Sequence, residues 1–144
     1  MPSFPRLKLI AVGKVKKSWI RDGIDLYGAR LPELETVEIK DSNPVKEGEQ
    51  VLAGLRGGDR LVALSEAGTC FSSVQFAAFL GKAPSNRLIL FIGSAEGLSL
   101  EVKQQAQVLL SLSPMTFPHE LARLMLVEQL YRAKTILNRG NYHK

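Results

Sequence analysis

The stretch RLILFIGSAEGLS, residues 87–99, decides the fold class of this chain. Its first six residues form a short apolar run, which is typical of a strand buried on both faces of a parallel sheet. The run ends at Gly93, and Gly93 and Gly97 permit the tight turn found at the carboxyl ends of strands, where open α/β sheets bind ligands. The turn matches neither the dinucleotide-binding pattern nor a P-loop. Taken alone, it is compatible with a ligand site or with a plain strand-to-helix turn.

Strand-like and helix-like segments alternate on both sides of this stretch. Further short apolar runs predict strands over Leu7–Val12 and residues 60–64, and Leu34–Ile39 is predicted as a short strand that carries alternating acids. Helices are predicted over residues 18–30, 49–55, 72–80, 99–111 and 121–137, with Ser18, Ser72 and Ser99 as N-caps and a loop over residues 41–48. The alternation predicts a single α/β domain over residues 1–144, with a mainly parallel sheet and helices on both faces.

Composition excludes several classes of protein. A chain of 144 residues with 45% hydrophobic and 23% charged residues is typical of one globular domain. It contains no apolar run of membrane-spanning length, and its start lacks the pattern of a signal peptide, so we expect a cytoplasmic protein with no membrane partner. Cys70 is the only cysteine, which excludes an internal disulfide and leaves a cysteine-based metal site without ligands. We also expect that the protein needs no metal.

The net charge of +5 is distributed unevenly along the chain. Residues 1–21 contain six basic residues and no acid, and residues 119–144 contain five basic residues and two acids, while the middle is net negative. If the fold brings the two ends together, they would suit a polyanionic partner such as nucleic acid, because Lys and Arg neutralise phosphates. A solvated basic surface is the alternative.

Two segments near the C-terminus also have the composition of a ligand site. LSLSPMTFPHE, residues 110–120, is a stiff loop whose backbone groups suit recognition of an adenine and a ribose, although a structural loop has the same composition. NRGNYHK, residues 138–144, follows the last helix and contains Tyr142 and His143. Imidazole is the side chain best suited to proton transfer near neutral pH, whereas a frayed terminus is the structural alternative.

Together these segments resemble the ribosomal RNA large subunit methyltransferase H group of the SPOUT superfamily. The resemblance covers nearly the whole chain. It rests on LIAVGK near the start, on FIGSAEGLS, on the unbroken run LSLSPMTFPHELARLMLVEQLYRA, and on the closing YHK. The long run is the most specific of the four, because its polar positions recur in this family in the same order.

The resemblance implies a fold, a cofactor and a partner. The fold would be an α/β sheet whose C-terminal part forms a trefoil knot, although chains generally avoid knots. The protein would be a homodimer that binds S-adenosylmethionine at the knot, and the partner subunit would help to build the substrate site. The implied cofactor contacts are Leu64, Gly93, Leu112, Ser113, Pro114, Met115, Thr116 and Phe117.

The implied reaction is N3 methylation of a pseudouridine in 23S rRNA of an assembled ribosome. Removal of the N3 proton needs a base, so we assign His143 as general base or relay, with Tyr142 orienting or stacking on the target base. Arg123 is assigned to the catalytic site or the RNA. His119, Arg132 and Lys144 are the expected substrate contacts. For Arg132 a helical ion pair with Glu128, four residues earlier, is the structural alternative.

The sequence departs from the family pattern at three places. Where the family commonly has GGPEG, this chain has GSAEG at residues 93–97, and Asn141 replaces a proline before Tyr142. The region of residues 41–48 is also short compared with the usual family pattern. These differences keep two alternatives open: an RNA-binding protein that has lost catalysis, and a SPOUT methyltransferase for another RNA such as tRNA. An unrelated flavodoxin-like nucleotide binder would require the long match to be accidental.

Overall fold

The structure is a computed structural model that describes residues 4–82 and 87–144. Within them the strands are β1 (Leu7–Val12), β2 (Leu34–Ile39), β3 (Arg60–Cys70), β4 (Leu88–Ile92) and β5 (Val108–Ser111). The helices are α1 (Ser18–Gly28), α2 (Pro44–Ala53), α3 (Ser73–Gly81), α4 (Leu100–Gln105) and α5 (His119–Leu137). All strand pairs are parallel, in the order β2, β1, β4, β3, β5. The predicted α/β class and parallel sheet are confirmed.

The central strands of the sheet, β1, β4 and β3, are buried on both faces. Side chains alternate along each strand, so that one face packs on α1, α3 and α5 and the other on α2 and α4. Buried strand residues on the first face include Leu7, Leu9, Val62, Leu88 and Leu90. Those on the second face include Ile10, Leu61, Ala63, Ile89 and Phe91. This two-sided burial explains why the sequence shows continuous apolar runs instead of alternation.

The predicted helices form, with shifted boundaries. Ser72 accepts a hydrogen bond from the Gln75 amide at 3.0 Å, and the Gln75 side chain accepts one from the Ser72 amide at 2.9 Å, which makes a complete capping box. The long helix α5 begins at His119, two residues before its predicted start. The prediction for Ser18 was wrong, because α1 already includes Ser18 and its N-cap, Lys17, has no side-chain cap bond.

The predicted loop over residues 41–48 was wrong in its second half. Helix α2 begins at Pro44, and the Asn43 side chain accepts a hydrogen bond from the Lys46 amide at 2.9 Å. The pair Asn-Pro indicates a loop if only its tendency to interrupt helices is considered. The same pair is also a favourable helix start, with Asn as the N-cap and Pro at the first helical position. The structure adopts the second solution.

The predicted helix over residues 99–111 was wrong beyond its first turns. Ser99 caps α4 as expected, with its hydroxyl accepting from the Val102 amide at 3.2 Å, but α4 ends at Gln105. Residues 108–111 instead form β5, which pairs with β3 at the sheet edge. The apolar sequence VLLS is compatible with either structure, and the unpaired edge of β3 decides between them.

Strand β3 makes an excursion that the sequence did not predict. Both Leu64 and Thr69 are opposite Leu110, so residues 65–68 leave the ladder and then return to it. Gly68 closes this excursion against β5, where an added Cβ would lie 2.4 Å from the carbonyl oxygen of Leu109. Only glycine permits that backbone approach. The excursion therefore depends on the small size of this residue.

An ion pair joins the two residues that directly precede β3 and β4, at the amino ends of these strands. Arg87 donates to Asp59 at 2.7 Å, and the side chains are 11% and 4% exposed. Burial raises the pKa of Asp59, but hydrogen bonds from Arg87 and from the Arg56 amide outweigh it and hold the pKa below its ordinary value.

Asp59→Asn should lower the free energy of unfolding by about 3 kcal/mol near neutral pH, because Arg87 loses its buried counter-charge. The folded-state pKa is depressed, so this contribution is present above the ordinary carboxyl pKa and is lost as pH falls through the folded value. Urea unfolding at about pH 7 and about pH 3 measures both effects. The gap between the two proteins should shrink in acid, and a constant gap would contradict the assignment.

In the described part of the chain, no helix combines the length and apolar character that crossing a bilayer requires. The C-terminal trefoil knot is an expectation from the family resemblance. That knot stays a prediction.

Candidate functional site

A cavity of about 680 Å³ lies at the carboxyl edge of the sheet. Its walls come from three segments that leave neighbouring strands: residues 64–67 after the regular part of β3, residues 92–98 after β4, and residues 112–118 after β5. The start of α5 closes one side with His119 and Ala122. This size and position are typical of a small-molecule site in an open α/β sheet.

The loop between β5 and α5 is held by its own serines. Ser111 is buried and donates to the carbonyl of Ser113 at 3.0 Å, while the Ser113 hydroxyl accepts from the Met115 amide at 3.0 Å. Met115 is 74% exposed although it also lines the cavity. The loop thus has a fixed backbone and an apolar side chain with little packing around it.

Glu66 and Thr116 connect two walls of the cavity. The Thr116 hydroxyl donates to the Glu66 carboxylate at 2.8 Å, and this contact joins the β3 excursion to the loop before α5. Both residues line the cavity. The contact therefore fixes the distance between the two walls at this point.

The glycine turn supplies a polar group without a partner. Ser94 Oγ is buried and makes no hydrogen bond to any residue within 4–82 or 87–144. Gly97 has a φ of +93°, and its amide donates to the Ser94 carbonyl at 2.9 Å, which closes the turn. A Cβ at Gly93 would lie 3.0 Å from the Gly97 carbonyl oxygen. A tight turn with a buried unsatisfied hydroxyl fits a ligand that brings its own polar atoms.

Most residues expected to contact a cofactor meet at this cavity. Of the eight, Leu64, Gly93, Leu112, Ser113, Met115, Thr116 and Phe117 line it. Pro114 is the exception, and it lies in the same loop outside the lining. His119, expected to contact substrate, also lines the cavity. The cavity combines apolar walls with backbone amides and hydroxyls, which are groups that an adenine, a ribose and an amino acid can use.

The C-terminal tail lies against α5 instead of fraying. The Tyr142 hydroxyl donates to Glu128 at 2.7 Å, and its oxygen lies 3.4 Å from the hydroxyl oxygen of Tyr27. The Tyr142 ring meets that of Tyr131 edge-on, with centroids 4.8 Å apart, and the Arg132 guanidinium lies 4.8 Å from its centroid. The contact with Tyr27, burial and Glu128 raise the pKa of Tyr142, so its phenol stays protonated and acts as a donor.

The same helix holds His143. Arg132 Nη1 lies 3.0 Å from His143 Nδ1, and because a guanidinium only donates, a hydrogen bond between them has Nδ1 as the acceptor. Arg132 also pairs with Glu128 at 2.8 Å, which confirms the predicted helical ion pair. Tyr142 and His143 do not line the cavity of their own chain. The folded monomer therefore separates the tail from the candidate cofactor site.

Arg123 also lies outside the cavity lining. It is 8% exposed, and its Nη1 donates to Glu38 at 2.8 Å. Lys144 follows the docked tail and is exposed. Neither the position of Arg123 nor that of Lys144 brings these residues to the cavity of the same chain, and their assigned roles stay predictions.

Sequence reasoning missed Glu66, Ser94, Glu128 and Tyr27 as parts of these sites. Ser94 stood out only as a departure from the family pattern, and Glu128 only as an ion-pair partner. Glu66 gave no signal, because the excursion that brings it to the cavity depends on strand pairing. Tyr27 lies more than a hundred residues from Tyr142, and no local pattern could connect them.

Comparison with known proteins identifies the class. A family model described as "Predicted SPOUT methyltransferase" matches residues 6–143, and the chain belongs to this family. A solved structure described as a probable methylase family protein from Haemophilus influenzae Rd KW20 has the same fold, with a TM-score of 0.61 at 10% identity. That comparison covers 99% of this chain and 72% of the other.

Curated relatives narrow the family to one group. The chain is 56% identical to the ribosomal RNA large subunit methyltransferase H of Synechococcus sp. strain RCC307, over 96% of this chain and 95% of the relative. It is 54% identical to the protein of the same name from Prochlorococcus marinus strain MIT 9303, over 95% and 91%. The resemblance drawn from the sequence motifs is confirmed.

Proposed function

We propose that this chain transfers a methyl group from S-adenosylmethionine to N3 of a pseudouridine in 23S rRNA of the assembled ribosome. The observation that carries the proposal is the cavity formed by the glycine turn and residues 112–118, in a chain that is 56% identical to a ribosomal RNA methyltransferase. We further propose that it acts in the cytoplasm as a homodimer with a knotted C-terminal part, and that it needs no metal.

The cavity fits the donor in its size and in its polar groups. Its backbone amides and the hydroxyl of Ser113 suit a nucleoside, and the unsatisfied Ser94 hydroxyl offers a hydrogen bond that the folded chain does not use. When bound, the donor supplies a methyl group on a positively charged sulfonium. The apolar residues Leu64, Met115 and Phe117 would exclude water around it.

Because the tail lies outside the cavity of its own chain, we propose that the catalytic site is shared between protomers. The cavity of one copy would face Tyr142 and His143 of the second copy, so that each dimer has two composite sites. Docking on α5 fixes the tail before substrate arrives, which lowers the entropy cost of forming the site.

His143 is the proposed base, and Arg132 controls whether it is free to act. While Arg132 donates to Nδ1, that nitrogen cannot accept a proton. We propose that an RNA phosphate draws the Arg132 guanidinium away, so that Nδ1 takes the N3 proton of the target base. Protonated Tyr142 would stack on the base or orient it, and Arg123, His119 and Lys144 would contact RNA.

Ser94→Ala tests the donor site separately from the reaction. Removing a buried hydroxyl without a partner should leave the free energy of unfolding unchanged or slightly higher. If the hydroxyl binds the donor, calorimetry should show a dissociation constant for S-adenosylmethionine that is about 5–10-fold larger than that of the wild type. Unchanged affinity would remove Ser94 from the donor site.

A transfer assay tests the function as a whole. The wild-type protein is mixed with methyl-labelled donor and, in parallel, with intact ribosomes, free 23S RNA and tRNA. Label on ribosomes supports the proposal, and nuclease digestion then locates the modified nucleotide. Label only on tRNA would favour a different SPOUT methyltransferase, and RNA binding without label on any substrate would favour a catalytically inactive RNA-binding protein.

A further inference from the structure

Residues 13–17, between β1 and α1, form a basic segment that presents three lysines to solvent. Lys14, Lys16 and Lys17 are exposed, whereas Val15 between them is 5% exposed and anchors the segment. In the described part of the chain none of these lysines forms an ion pair. The charges are therefore available to an external partner.

The backbone of this basic segment is held in place from two sides. Glu120 Oε1, in the first turn of α5, accepts hydrogen bonds from the Lys16 amide at 2.9 Å and from the Lys17 amide at 3.4 Å. The Arg21 guanidinium donates to the Val15 carbonyl. The bond from the Lys16 amide is the main cause that lowers the pKa of Glu120, so the carboxylate stays ionised at neutral pH. Side chains are free while the backbone is fixed, which is the arrangement of a preformed binding surface.

The basic segment also lies beside the candidate donor site. Ala11 of β1 is paired with Ile92 of β4, so the chain leaves β1 next to the glycine turn that lines the cavity. Glu120 directly follows His119, which lines the same cavity. A polyanion bound by the three lysines would thus lie near residues that line the cavity.

We propose that Lys14, Lys16 and Lys17 bind backbone phosphates of the substrate RNA, and that Glu120 is the positioning residue that holds them at the cavity. This inference rests on the proposed function, because it assumes an RNA substrate. Lysines contact phosphates as point charges and read no sequence, so they would supply affinity and placement instead of base selection.

The salt dependence of binding tests the lysines. The probe is a fluorescein-labelled RNA stem-loop, and anisotropy gives its affinity for the full chain from about 50 to 200 mM salt. For Lys14→Gln, Lys16→Gln and Lys17→Gln combined, the negative slope of log affinity against log salt should decrease in magnitude by about 2–3, at about 0.7–0.9 for each phosphate that the protein no longer neutralises. An unchanged slope would overturn the proposal.

A matched variant controls for net charge. Arg6, Arg56 and Lys82 are exposed residues near the opposite edge of the sheet. Arg6→Gln, Arg56→Gln and Lys82→Gln combined also remove three positive charges, but they should change the slope by less than about 1. An equal decrease in both triple variants would show a general charge effect, and the proposal would fall.

Two variants of one residue test the positioning role. Glu120→Ala and Glu120→Gln raise the net charge equally, but only the Gln side chain keeps an oxygen that accepts the Lys16 and Lys17 amides. Glu120→Ala should weaken RNA binding by about 3–10-fold with the salt slope retained, and Glu120→Gln should stay near wild type. Equal affinities for the two variants would remove Glu120 from the proposal.

The binding assay separates this inference from the proposed reaction. If the wild-type chain binds RNA through the lysines but transfers no methyl group, the reaction fails and the binding surface stands. If methyl transfer is observed and the lysine variant keeps both its affinity and its salt slope, the reaction stands and the binding surface fails.

Discussion

His143→Ala should lower the turnover of ribosome methylation by about 10²–10⁴-fold, the range expected when a general base is removed. The dissociation constant of S-adenosylmethionine should stay within about 2-fold of wild type, because the proposed role of His143 is to take a proton from the target base and not to bind the donor. Single-turnover methyl transfer and calorimetry measure the two quantities. Undiminished transfer would exclude His143 from the mechanism.

Asn141→Ala provides the control for this experiment. Asn141 is an exposed residue in the same tail, and its replacement should leave turnover within about 3-fold of wild type. A large decrease in both variants would indicate that any change in the tail disturbs its docking, and the special role of His143 would not hold.

Mixing inactive proteins shows whether the site is shared. His143→Ala keeps an intact cavity, and Gly93→Val keeps an intact tail while crowding the turn against Gly97. If the tail acts on the cavity of the second copy, random exchange of protomers restores one site in each mixed dimer, or about a quarter of wild-type activity. No recovery from mixed dimers that are shown to form would contradict the shared site.

Gly68→Ala should destabilise the fold by about 3 kcal/mol, near the upper end for overpacking, because the methyl group would meet backbone atoms of Leu109. Backbone cannot rotate away as a side chain can, so β3 and β5 must separate. Since both strands lead into cavity walls, donor affinity should fall by at least about 10-fold. Urea unfolding and calorimetry measure these two effects.

Gly57→Ala is the matched glycine control. A Cβ at Gly57 would meet no atom within 4 Å, so the change should alter stability by less than about 1 kcal/mol. If Gly68→Ala is equally mild, the excursion of β3 does not depend on the close approach at Gly68.

Strand positions were predictable because burial on both faces leaves continuous apolar runs such as residues 88–92. Features that depend on contacts between residues distant in sequence were not predictable. The run at residues 108–111 became a strand because β3 offered it an open edge. Asn43 and Pro44 are typical both of a loop and of the start of a helix, and only the packing of α2 selects the helix.

The candidate site was predictable in part for the same reason. Gly93 follows the predicted strand β4, and the carboxyl ends of parallel strands meet at one edge. Residues 112–118 were expected to follow a helix, and they reach the same edge through β5. Motif resemblance then identified the residues along that edge. Docking of Tyr142 on Tyr27 and Glu128, and the separation of His143 from the cavity, required the folded chain.

The pairing of β1 with β4 has a consequence for how the protein matures. Leu7 lies opposite Leu88, so β1 stays without this neighbour during synthesis until β4 has been made. Contacts so distant in sequence close slowly, and exposed apolar strands aggregate in the meantime. During translation we expect the N-terminal half to depend on chaperones, and binding of the methyl donor would then report that the last helix is in place.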